Sequence, residues 1–449
     1  MTAPAAGSAD PIAARRRRLG RVRGLRIWDA AGVRDFRLLW ASEGVSVLGD
    51  QFHAVALSWL VITLTGSGLA LGTVLIAISV PRALLLVPLG VVADRRSQRS
   101  LMLASHLARA GIVAAITALV VSGNASIASL AVLGVLFGAA DAVYMPSQQA
   151  FVPRAVGPDR LPSANALLQG TLQLVSIVAP PIAGLVVAAA GTGIAFGVDA
   201  ASFVVAAGLI ALIGGAGART LARPGAGAGP ATPAQLQESF LRALGGGVRY
   251  VIADRAIAVM LGVSLVLNFA LNGPAAVGMA WLAELRYHAG ATGLGLLVAG
   301  WGIGGLAGTL IAGNARLERQ GRILLIGIAV SGLATSGVGI ASSLAMAVVL
   351  FAVSGLCMGY VNIVAISWLQ ARVEVAMLGR VMSVVMLVGF GISPLSMAIA
   401  GALIDANATA LFVGAGALVV AAAVGAVLLG TVDLFDTPRP APAEASAAG

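Results

Sequence analysis

The sequence has no lysine, a single cysteine, three histidines and only 10% charged residues in a chain of 449. The one cysteine, Cys357, excludes a disulfide within the chain, and the absence of lysine excludes a Walker-type phosphate loop and with it direct driving by ATP. The histidines His53, His106 and His288 lie in different segments, without the spacing of metal ligands. We therefore expect no metal site and no other cofactor.

Long apolar runs dominate the chain instead. Hydrophobic residues make up 59% of it, which is above the average of soluble domains and favours an integral membrane protein. Twelve of these runs are close to the length of roughly 20 residues that crosses a bilayer. We therefore predict an all-α polytopic membrane protein with twelve transmembrane helices. The predicted spans are 38–62, 69–92, 101–121, 127–144, 165–190, 194–214, 257–280, 294–312, 323–341, 344–369, 381–403 and 411–429.

The distribution of arginine predicts the orientation. All 28 basic residues are arginines, and nearly all of those outside the spans fall in the N-terminal arm or in connections on the same side of the membrane. Arg286 is the exception. Because cytoplasmic loops carry an excess of basic residues, we expect a multi-pass protein of the inner or plasma membrane with both termini in the cytoplasm. The net charge of +10 fits this topology better than nucleic-acid binding, so no nucleic-acid partner is expected.

The chain divides at its longest interior connection into two halves that resemble each other. The segment 90–99 after the second span recurs in degraded form at 313–322 after the eighth, as two pseudo-symmetric six-helix bundles require. The connection begins with a Gly, Ala and Pro-rich linker and continues as an amphipathic helix pattern, in which three successive glycines predict a break. The predicted units are a basic cytoplasmic N-terminal arm (1–35), an N-terminal six-helix bundle (36–214), a cytoplasmic linker with an amphipathic helix (215–254), a C-terminal six-helix bundle (255–430) and a disordered cytoplasmic tail (431–449).

Two charged residues, Asp50 and Arg82, lie deep in the first two spans. Each is sixteen residues from Gly66 in the turn between the spans, or about 24 Å along a helix, so we expect neighbouring helices and an ion pair at one depth. Asp50 is then either a coupling carboxylate, which binds a proton or a cationic substrate, or half of a structural pair. Glu43 and His53 share its helix face, together with Ser46, and we interpret this polar stripe as the wall of an aqueous path.

Other spans also carry polar residues. Arg109 and Asp141 lie at similar distances from the loop between their spans, which predicts a structural charge pair. Asn268 and Asn272, one helical turn apart, and Asn362 in a later span offer either uncharged hydrogen bonds to a substrate or contacts between helices. The sequence leaves both roles open.

Several runs carry a resemblance to a known family. The run Gly90-Val91-Val92-Ala93-Asp94-Arg95-Arg96 matches the loop 2–3 signature of the major facilitator superfamily of transporters, and the resemblance covers residues 36–429. Within that superfamily the sequence is similar to the secretion-effector branch, which includes enterobactin exporters and macrolide efflux pumps. This narrower resemblance rests on the runs 36–40, 65–67, 144–147, 161–167, 199–203 and 378–383.

The resemblance implies a role for the loop after the second span. Gly90, Asp94 and Arg95 would form a conformational clamp between the two halves, the alternative being simple anchoring of the loop by its charges. The arginine of the family's fourth-helix motif has no counterpart, because that span contains no arginine. Arg82 or Arg109 would have to substitute for it in proton relay.

The fifth span carries a second family feature. Its residues 179–184 resemble the antiporter motif Gly-Pro-x-x-Gly-Gly, with alanine at two of the glycine positions. Pro180, Pro181 and Gly184 would form a kink that lets two helices approach closely and seal against leak, which favours export.

We therefore predict a secondary-active transporter. The expected reaction is proton-coupled efflux, by alternating access, of an amphipathic small molecule such as a drug, a secondary metabolite or a siderophore. An importer or uniporter of a small solute is the alternative, and a non-transporting polytopic protein is a more remote one. An enzyme is not expected, because no cluster of His, Cys or carboxylate residues occurs at one membrane face. The expected partners are the small-molecule substrate, protons and the lipid bilayer, and we expect a monomer.

Overall fold

Helices make up the secondary structure of the residues that the computed structural model describes, 28–214, 245–313 and 320–432, and no strand occurs in these ranges. Residues 1–27, 215–244, 314–319 and 433–449 lie outside the described residues. The all-α prediction is confirmed. The structure does not test what is predicted for the N-terminal arm, for the linker before residue 245 with most of its amphipathic helix, or for the tail. These remain predictions.

The two halves follow one another along the chain. The N-terminal half contains α1 (Arg34–Thr65), α2 (Gly68–Arg95), α3 (Gln98–Val121), α4 (Ile127–Asp141), α5 (Tyr144–Val156) and α6 (Leu161–Ala211), with 3-10 turns at Ala30–Gly32 and Pro158–Arg160. The C-terminal half contains α7 (Arg255–Gly273), α8 (Gly290–Gly313), α9 (Gln320–Ile340), α10 (Leu344–Arg372), α11 (Val375–Gly391) and α12 (Ser393–Leu428). After α7 the same span continues through Pro274–Gly278 and Leu282–Arg286, two π-helical turns on either side of Met279–Trp281.

Ten helical segments in the described ranges are long and apolar enough to cross a membrane. Two of them, Leu161–Ala211 and Met377–Leu428, have 51 and 52 residues, far more than the roughly 20 that one crossing needs. Each is interrupted by one residue outside the helical region, Gly191 with φ 81° and Asn407 with φ −163°. Such breaks allow two crossings each, and the count of twelve stays a prediction.

Local sequence signals explain where several helices begin and end. Gly66 adopts the left-handed conformation that ends α1, with φ 62°. Ser126 begins α4 with a capping box, in which its hydroxyl accepts from the Ser129 amide and the Ser129 hydroxyl accepts from the Ser126 amide. At the break in α12 the Asn407 side chain accepts a hydrogen bond from the Ala410 amide, 2.9 Å away, and so caps the segment that follows.

Asp254 caps the start of α7 and joins it to the end of α10. Its Oδ1 accepts hydrogen bonds from the amides of Ala256 and Ile257, and Arg372 Nε lies 2.9 Å from its Oδ2. Burial acts to raise the pKa of Asp254, but the hydrogen bonds from Arg372 and the Ile257 amide outweigh it, so the pKa lies below its ordinary value. The charged carboxylate thus stabilises this end of the bundle.

Glycine permits the closest helix packing in the C-terminal half. A Cβ at Gly304 of α8 would collide with the carbonyl oxygen of Ala352 in α10, and one at Gly308 with that of Leu356. The expected break at Gly245–Gly247 is wrong, because residues 245–253 are helical. A Cβ on Gly247 would lie 2.6 Å from the Arg380 carbonyl oxygen of α11, so this glycine serves close packing.

Helices that follow one another in the chain are not the main neighbours of each other. α1 packs chiefly against α6, and α2 packs against α4 and α12, whereas the contact between α1 and α2 is slight. The short turn at Gly66 brings only the adjoining ends of these two helices together. The pairing of charges therefore cannot follow from equal depth in successive helices alone.

Buried apolar side chains form one joint core at the Gly66 end of the bundle and two separate cores at the opposite end. The joint core combines both halves, whereas each of the others belongs to one half. The halves therefore meet chiefly at the Gly66 end. Representative members are Leu57, Val61, Leu71, Val277, Leu282 and Ile404 of the joint core, Phe36, Leu39 and Phe151 of the N-terminal core, and Ile257, Leu324 and Trp368 of the C-terminal core.

Candidate functional site

A cluster of charged and polar side chains lies within the N-terminal half, where apolar spans surround it. Six helices contribute to it, because α1 and α3 both pack against α6, α4 and α5 lie against α3, and α2 packs against α4. Polar groups in an apolar span are costly unless they find partners or water, so this cluster is a functional candidate. Its members are Ser42, Glu43, Asp50 and His53 of α1, Arg82 of α2, His106 and Arg109 of α3, Asp141 of α4, Tyr144 of α5 and Asp199 of α6.

Arg109 is the centre of the cluster. Its side chain is only 2% exposed, and its Nη1 lies 3.0 Å from Asp141 Oδ1 and 4.0 Å from Asp50 Oδ1. Its guanidinium carbon lies 4.4 Å from the centroid of the Phe203 ring and 5.1 Å from that of Tyr144, so two aromatic faces also stabilise the cation. The buried guanidinium of Arg109 therefore lies near the carboxylates of both Asp141 and Asp50, and its contact with Asp141 is the shorter one.

Arg82 binds the other oxygen of Asp141, with Nε 3.0 Å from Oδ2. The expected ion pair between Asp50 and Arg82 is therefore wrong: Arg82 pairs with Asp141, and Asp50 lies beside Arg109. The physical reason is helix packing, since α2 packs against α4 and makes only slight contact with α1. Arg109 and Asp141 do form a pair, as predicted, and Arg109 also lies beside Asp50.

Asp50 is the acid of the cluster with the most open surroundings. Its side chain is 36% exposed, against 14% for Asp141, and its contact to Arg109 is longer than a hydrogen bond. A charged carboxylate with so weak a pairing would be costly in lipid. Either the exposed face of Asp50 borders a wet cavity, or its carboxyl group carries a proton. Asp50 can thus exchange a proton or bind a cation without first breaking a short ion pair.

The rest of the polar stripe on α1 is turned into the protein. Glu43, Ser46 and His53 are buried, so the prediction that the stripe lines a water path is wrong for these three. The hydroxyl of Tyr144 donates a short hydrogen bond of 2.5 Å to Glu43 Oε2. This bond ties α1 to α5 next to Arg109.

His53 lies one helical turn from Asp50, on the side toward Gly66. Its Nδ1 is 2.8 Å from Asp199 Oδ2, and its ring stacks on Phe137 and meets the edge of Phe196. Both members of the His53–Asp199 pair are buried. This pair joins α1 to α6.

Sequence reasoning did not place His106 and Tyr144 in the site. Arg109 Nη2 donates to His106 Nδ1 over 3.1 Å, because arginine cannot accept. The other ring nitrogen of His106 then carries the proton and faces the Ser42 hydroxyl at 3.4 Å. A signal was present in the sequence: His106 lies three residues before Arg109, and Tyr144 lies three residues after Asp141 in the predicted span 127–144, a spacing that would place each on one helix face with a charge.

Asn268 and Asn272 of the C-terminal half make hydrogen bonds along their own helix. Asn268 Nδ2 donates to the Ser264 carbonyl oxygen at 2.8 Å, and Asn272 Nδ2 donates to Asn268 Oδ1 at 3.3 Å. Asn362 of α10 is exposed. The amide oxygen of Asn272 and the side chain of Asn362 thus offer uncharged donors and acceptors.

Near the antiporter-like run 179–184, α6 packs closely against α8 of the other half. A Cβ on Gly184 would lie 2.6 Å from the Ala291 carbonyl oxygen of α8, and one on Gly295 would lie 2.8 Å from the Pro180 carbonyl oxygen. Helical dihedrals continue through Pro180 and Pro181, and the non-helical residue of α6 is Gly191. The close approach of two helices is present, while the sharp break lies seven residues after Gly184.

The loop residues Gly90, Asp94 and Arg95 lie in the last turns of α2. Their side chains fall outside what the structure describes, so the clamp stays a prediction. No group of three or more His, Cys, Asp and Glu residues that could hold a metal ion occurs within residues 28–214, 245–313 and 320–432.

Comparison with known proteins places the chain in a family. Residues 30–442 match the family model described as a transmembrane secretion effector of the major facilitator superfamily. The multidrug efflux pump Tap of Mycolicibacterium fortuitum is 26% identical over 86% of this chain and 92% of its own. The enterobactin exporter EntS of Citrobacter koseri is 26% identical over 85% of each chain.

Solved structures share the fold. A bacterial homologue of the iron transporter ferroportin superposes with a TM-score of 0.67 and 16% identity, over 90% of this chain and 99% of that one. A peptide transporter superposes with a TM-score of 0.68 and 15% identity, over 90% of this chain and 96% of that one. At these identities the likeness concerns the fold alone.

Proposed function

Because the chain belongs to the transmembrane secretion effector family of the major facilitator superfamily, we propose that it exports an amphipathic small molecule in exchange for protons. It is a multi-pass transporter of the cell membrane, not an enzyme, and efflux pumps are among its relatives. The exchange with protons, the substrate class and alternating access between the two halves are the proposal.

The contact of Asp50 with Arg109 carries the proposal. A coupling carboxylate must alternate between charged and neutral forms, and its proton affinity changes when its distance to a cation changes. Asp50 is 36% exposed and 4.0 Å from Arg109, whose shorter contact is to Asp141. A small displacement of α1 relative to α3 would therefore alter the environment of Asp50 while Arg109 stays paired.

The proposed cycle uses this arrangement. With the opening at the end where the cores are separate, Asp50 releases its proton to the cytoplasm and the substrate enters. Rocking of the halves then turns the opening to the Gly66 side, where Asp50 takes up a proton from outside and the substrate leaves. The protonated, neutral Asp50 permits the return, so one turn moves substrate outward and a proton inward. Glu43 is hydrogen-bonded to Tyr144 and His53 to Asp199. We assign both residues the role of stabilising the position of α1.

A contrast between the halves supports the proposed substrate class. The N-terminal half presents the carboxylate of Asp50 and the guanidinium of Arg82, whose side chain is 46% exposed. The C-terminal half offers the uncharged amide oxygen of Asn272 and the uncharged side chain of Asn362. An amphipathic molecule with a few polar groups matches such a lining better than a highly charged solute does. The names of Tap and the enterobactin exporter support drugs and siderophores as probes.

Two further elements complete the proposal. The clamp residues Gly90, Asp94 and Arg95 would hold the cytoplasmic ends of the halves together in the outward-open state. Pro180, Pro181 and Gly184 would keep α6 tight against α8, so that ions do not leak between the halves. The termini are proposed to be cytoplasmic, and the working unit to be a monomer.

Transport in proteoliposomes tests the function. Purified protein is inserted into vesicles, and two probes, ethidium and a catecholate siderophore, are offered outside vesicles with an acidic lumen. For the inside-out fraction, antiport predicts accumulation of at least one probe in the lumen, and nigericin should abolish it by collapsing the pH gradient. Accumulation only with an acidic exterior would instead indicate proton-driven import, and equilibration that ignores the gradient would indicate a uniporter.

A further inference from the structure

Asp405, near the end of the first segment of α12, reaches across to the start of α2 in the other half. Its Oδ1 accepts from the Gly68 amide at 2.7 Å, and its Oδ2 accepts from the Ser67 hydroxyl at 2.7 Å and the Leu69 amide at 3.1 Å. The Trp281 side chain of its own half lies near this carboxylate as well. One carboxylate thus holds three donors that belong to the opposite half.

These donors are the groups that a helix start leaves unsatisfied. The first amides of an α-helix have no partner inside the helix, and an acidic group is favourable there. In α2 the Ala70 amide donates to the Ser67 hydroxyl, whereas the Gly68 and Leu69 amides donate to Asp405. The helix therefore has its own cap, and the second cap comes from the other half.

The contact lies where the halves are closest. A Cβ on Gly72 of α2 would lie 2.9 Å from the Met397 carbonyl oxygen of α12, and one on Gly401 would lie 2.7 Å from the Gly68 carbonyl oxygen. These backbones touch in the joint core at the Gly66 end. Asp405 lies at the exposed edge of that contact, so water can reach it when the halves part.

We propose that Asp405 is a positioning residue of the transport cycle, a cross-half cap that holds the Gly66 end closed. This inference rests on the proposed alternating access and adds the contact that sets the balance between its two states. Opening leaves Ser67 to cap α2, lets water solvate two amides, and leaves Asn407 to cap the second segment of α12. Both helices thus stay capped when the contact breaks, so the contact can break and reform in every cycle.

Distances between spin labels on the two halves test the inference. One pair of cysteines replaces Asn124 and Ser342, which are exposed in loops at the Gly66 end, and a second pair replaces Arg160 and Glu374, exposed at the opposite end. Cys357 is replaced by alanine in every protein that is labelled. Electron–electron resonance then measures both distances in detergent without substrate, in the otherwise unchanged protein and in Asp405→Ala, Asp405→Asn and Ser67→Ala.

Asp405→Ala should lengthen the Asn124–Ser342 distance and shorten the Arg160–Glu374 distance, with about a fivefold shift in the ratio of the two states, as for the loss of a helix cap. Asp405→Asn and Ser67→Ala should shift both distances in the same directions by less, because each retains some of the hydrogen bonds. Glu284→Gln removes the same charge near the same end and should leave both distributions unchanged.

Unchanged distributions in all three variants would overturn the inference. So would a change confined to the Asn124–Ser342 pair, because local fraying of α2 does not move the opposite end. The proposed function is tested separately by export in vesicles. An exporter with unshifted distances refutes the cap alone, whereas a protein with shifted distances and no proton-driven export refutes the proposed function alone.

Discussion

Asp50 lies 4.0 Å from Arg109, a cation that is itself 3.0 Å from Asp141. The two carboxylates thus compete for one buried guanidinium, and Asp50 is the more distant and more exposed competitor. Since a buried charge must stay compensated, Asp141 keeps Arg109 neutralised whenever Asp50 is protonated. Asp50 can therefore take up and release a proton while Arg109 keeps a carboxylate partner.

Replacement of Asp50 by asparagine should abolish transport driven by a pH gradient. Asparagine preserves the shape of the side chain and its hydrogen bonding but cannot titrate. Substrate binding should therefore remain within about threefold of the unchanged protein, less than about 1 kcal/mol, because no contact other than the charge is lost. Proteoliposome accumulation and a binding titration with the same probe measure the two quantities separately.

Asp50→Glu is the matched control, because it retains a titrating group and should keep measurable proton-driven transport. If Asp50→Asn exports at the full rate with an unchanged pH dependence, Asp50 is a structural residue and the coupling site lies elsewhere.

The orientation predicts which cysteines react from outside the cell. Single cysteines at Asn124 and Ser342 should react with an impermeant maleimide in intact cells, whereas those at Arg160 and Glu374 should react only after permeabilisation. All four positions are exposed in the structure, so accessibility reports the side of the membrane and not burial. The reverse pattern would place both termini outside and contradict the arginine rule.

Acid should weaken the contact between α7 and α10. The pKa of Asp254 lies below its ordinary value in the folded protein, so its stabilisation is present above the ordinary pKa, near about 4, and is lost as the pH falls through the lowered value. Asp254→Asn should lower the melting temperature in detergent at about pH 7 by the equivalent of up to about 1 kcal/mol, because it removes the ion pair with Arg372 while asparagine still caps α7. The difference from the unchanged protein should narrow as the pH falls below about 4. A difference that is constant with pH would show that charge on Asp254 plays no part.

Composition and spacing sufficed for the helical class and the positions of most spans, because a bilayer demands long apolar runs and such runs are visible in one sequence. The family was indicated by the runs that resemble its motifs. The partners of the charges were harder to predict. Residue counts place Asp50 and Arg82 at one depth but say nothing of rotation about the helix axis or of which helices touch. α2 faces α4 and α12 because close packing at Gly72 and other small residues selects those partners, and no periodicity encodes that choice.

The same limit applies to the contact between the halves. Asp405 is an acid at a helix end, unremarkable in the sequence, and 336 to 338 residues separate it from its donors at Ser67, Gly68 and Leu69. His106 and Tyr144 could have been found, since each lies three residues from a charge in an apolar span. A polar residue at that spacing from a charge in an apolar span is a candidate partner of the charge.

The two arginines bound to Asp141 should differ in what their loss costs. Arg82 is 46% exposed and Arg109 is 2% exposed, and removal of one partner from a buried ion pair is costly because it strands the other charge. Arg109→Gln leaves Asp141 with Arg82 but leaves Asp50 without its cation, so it should lower the melting temperature in detergent markedly. Arg82→Gln leaves Asp141 with Arg109 and should lower it far less. The double change Arg109→Gln with Asp50→Asn should recover part of the loss of Arg109→Gln, since it removes the stranded carboxylate, but it should not restore proton coupling. Equal destabilisation by the two single changes would show that Arg109 is not the central cation of the cluster.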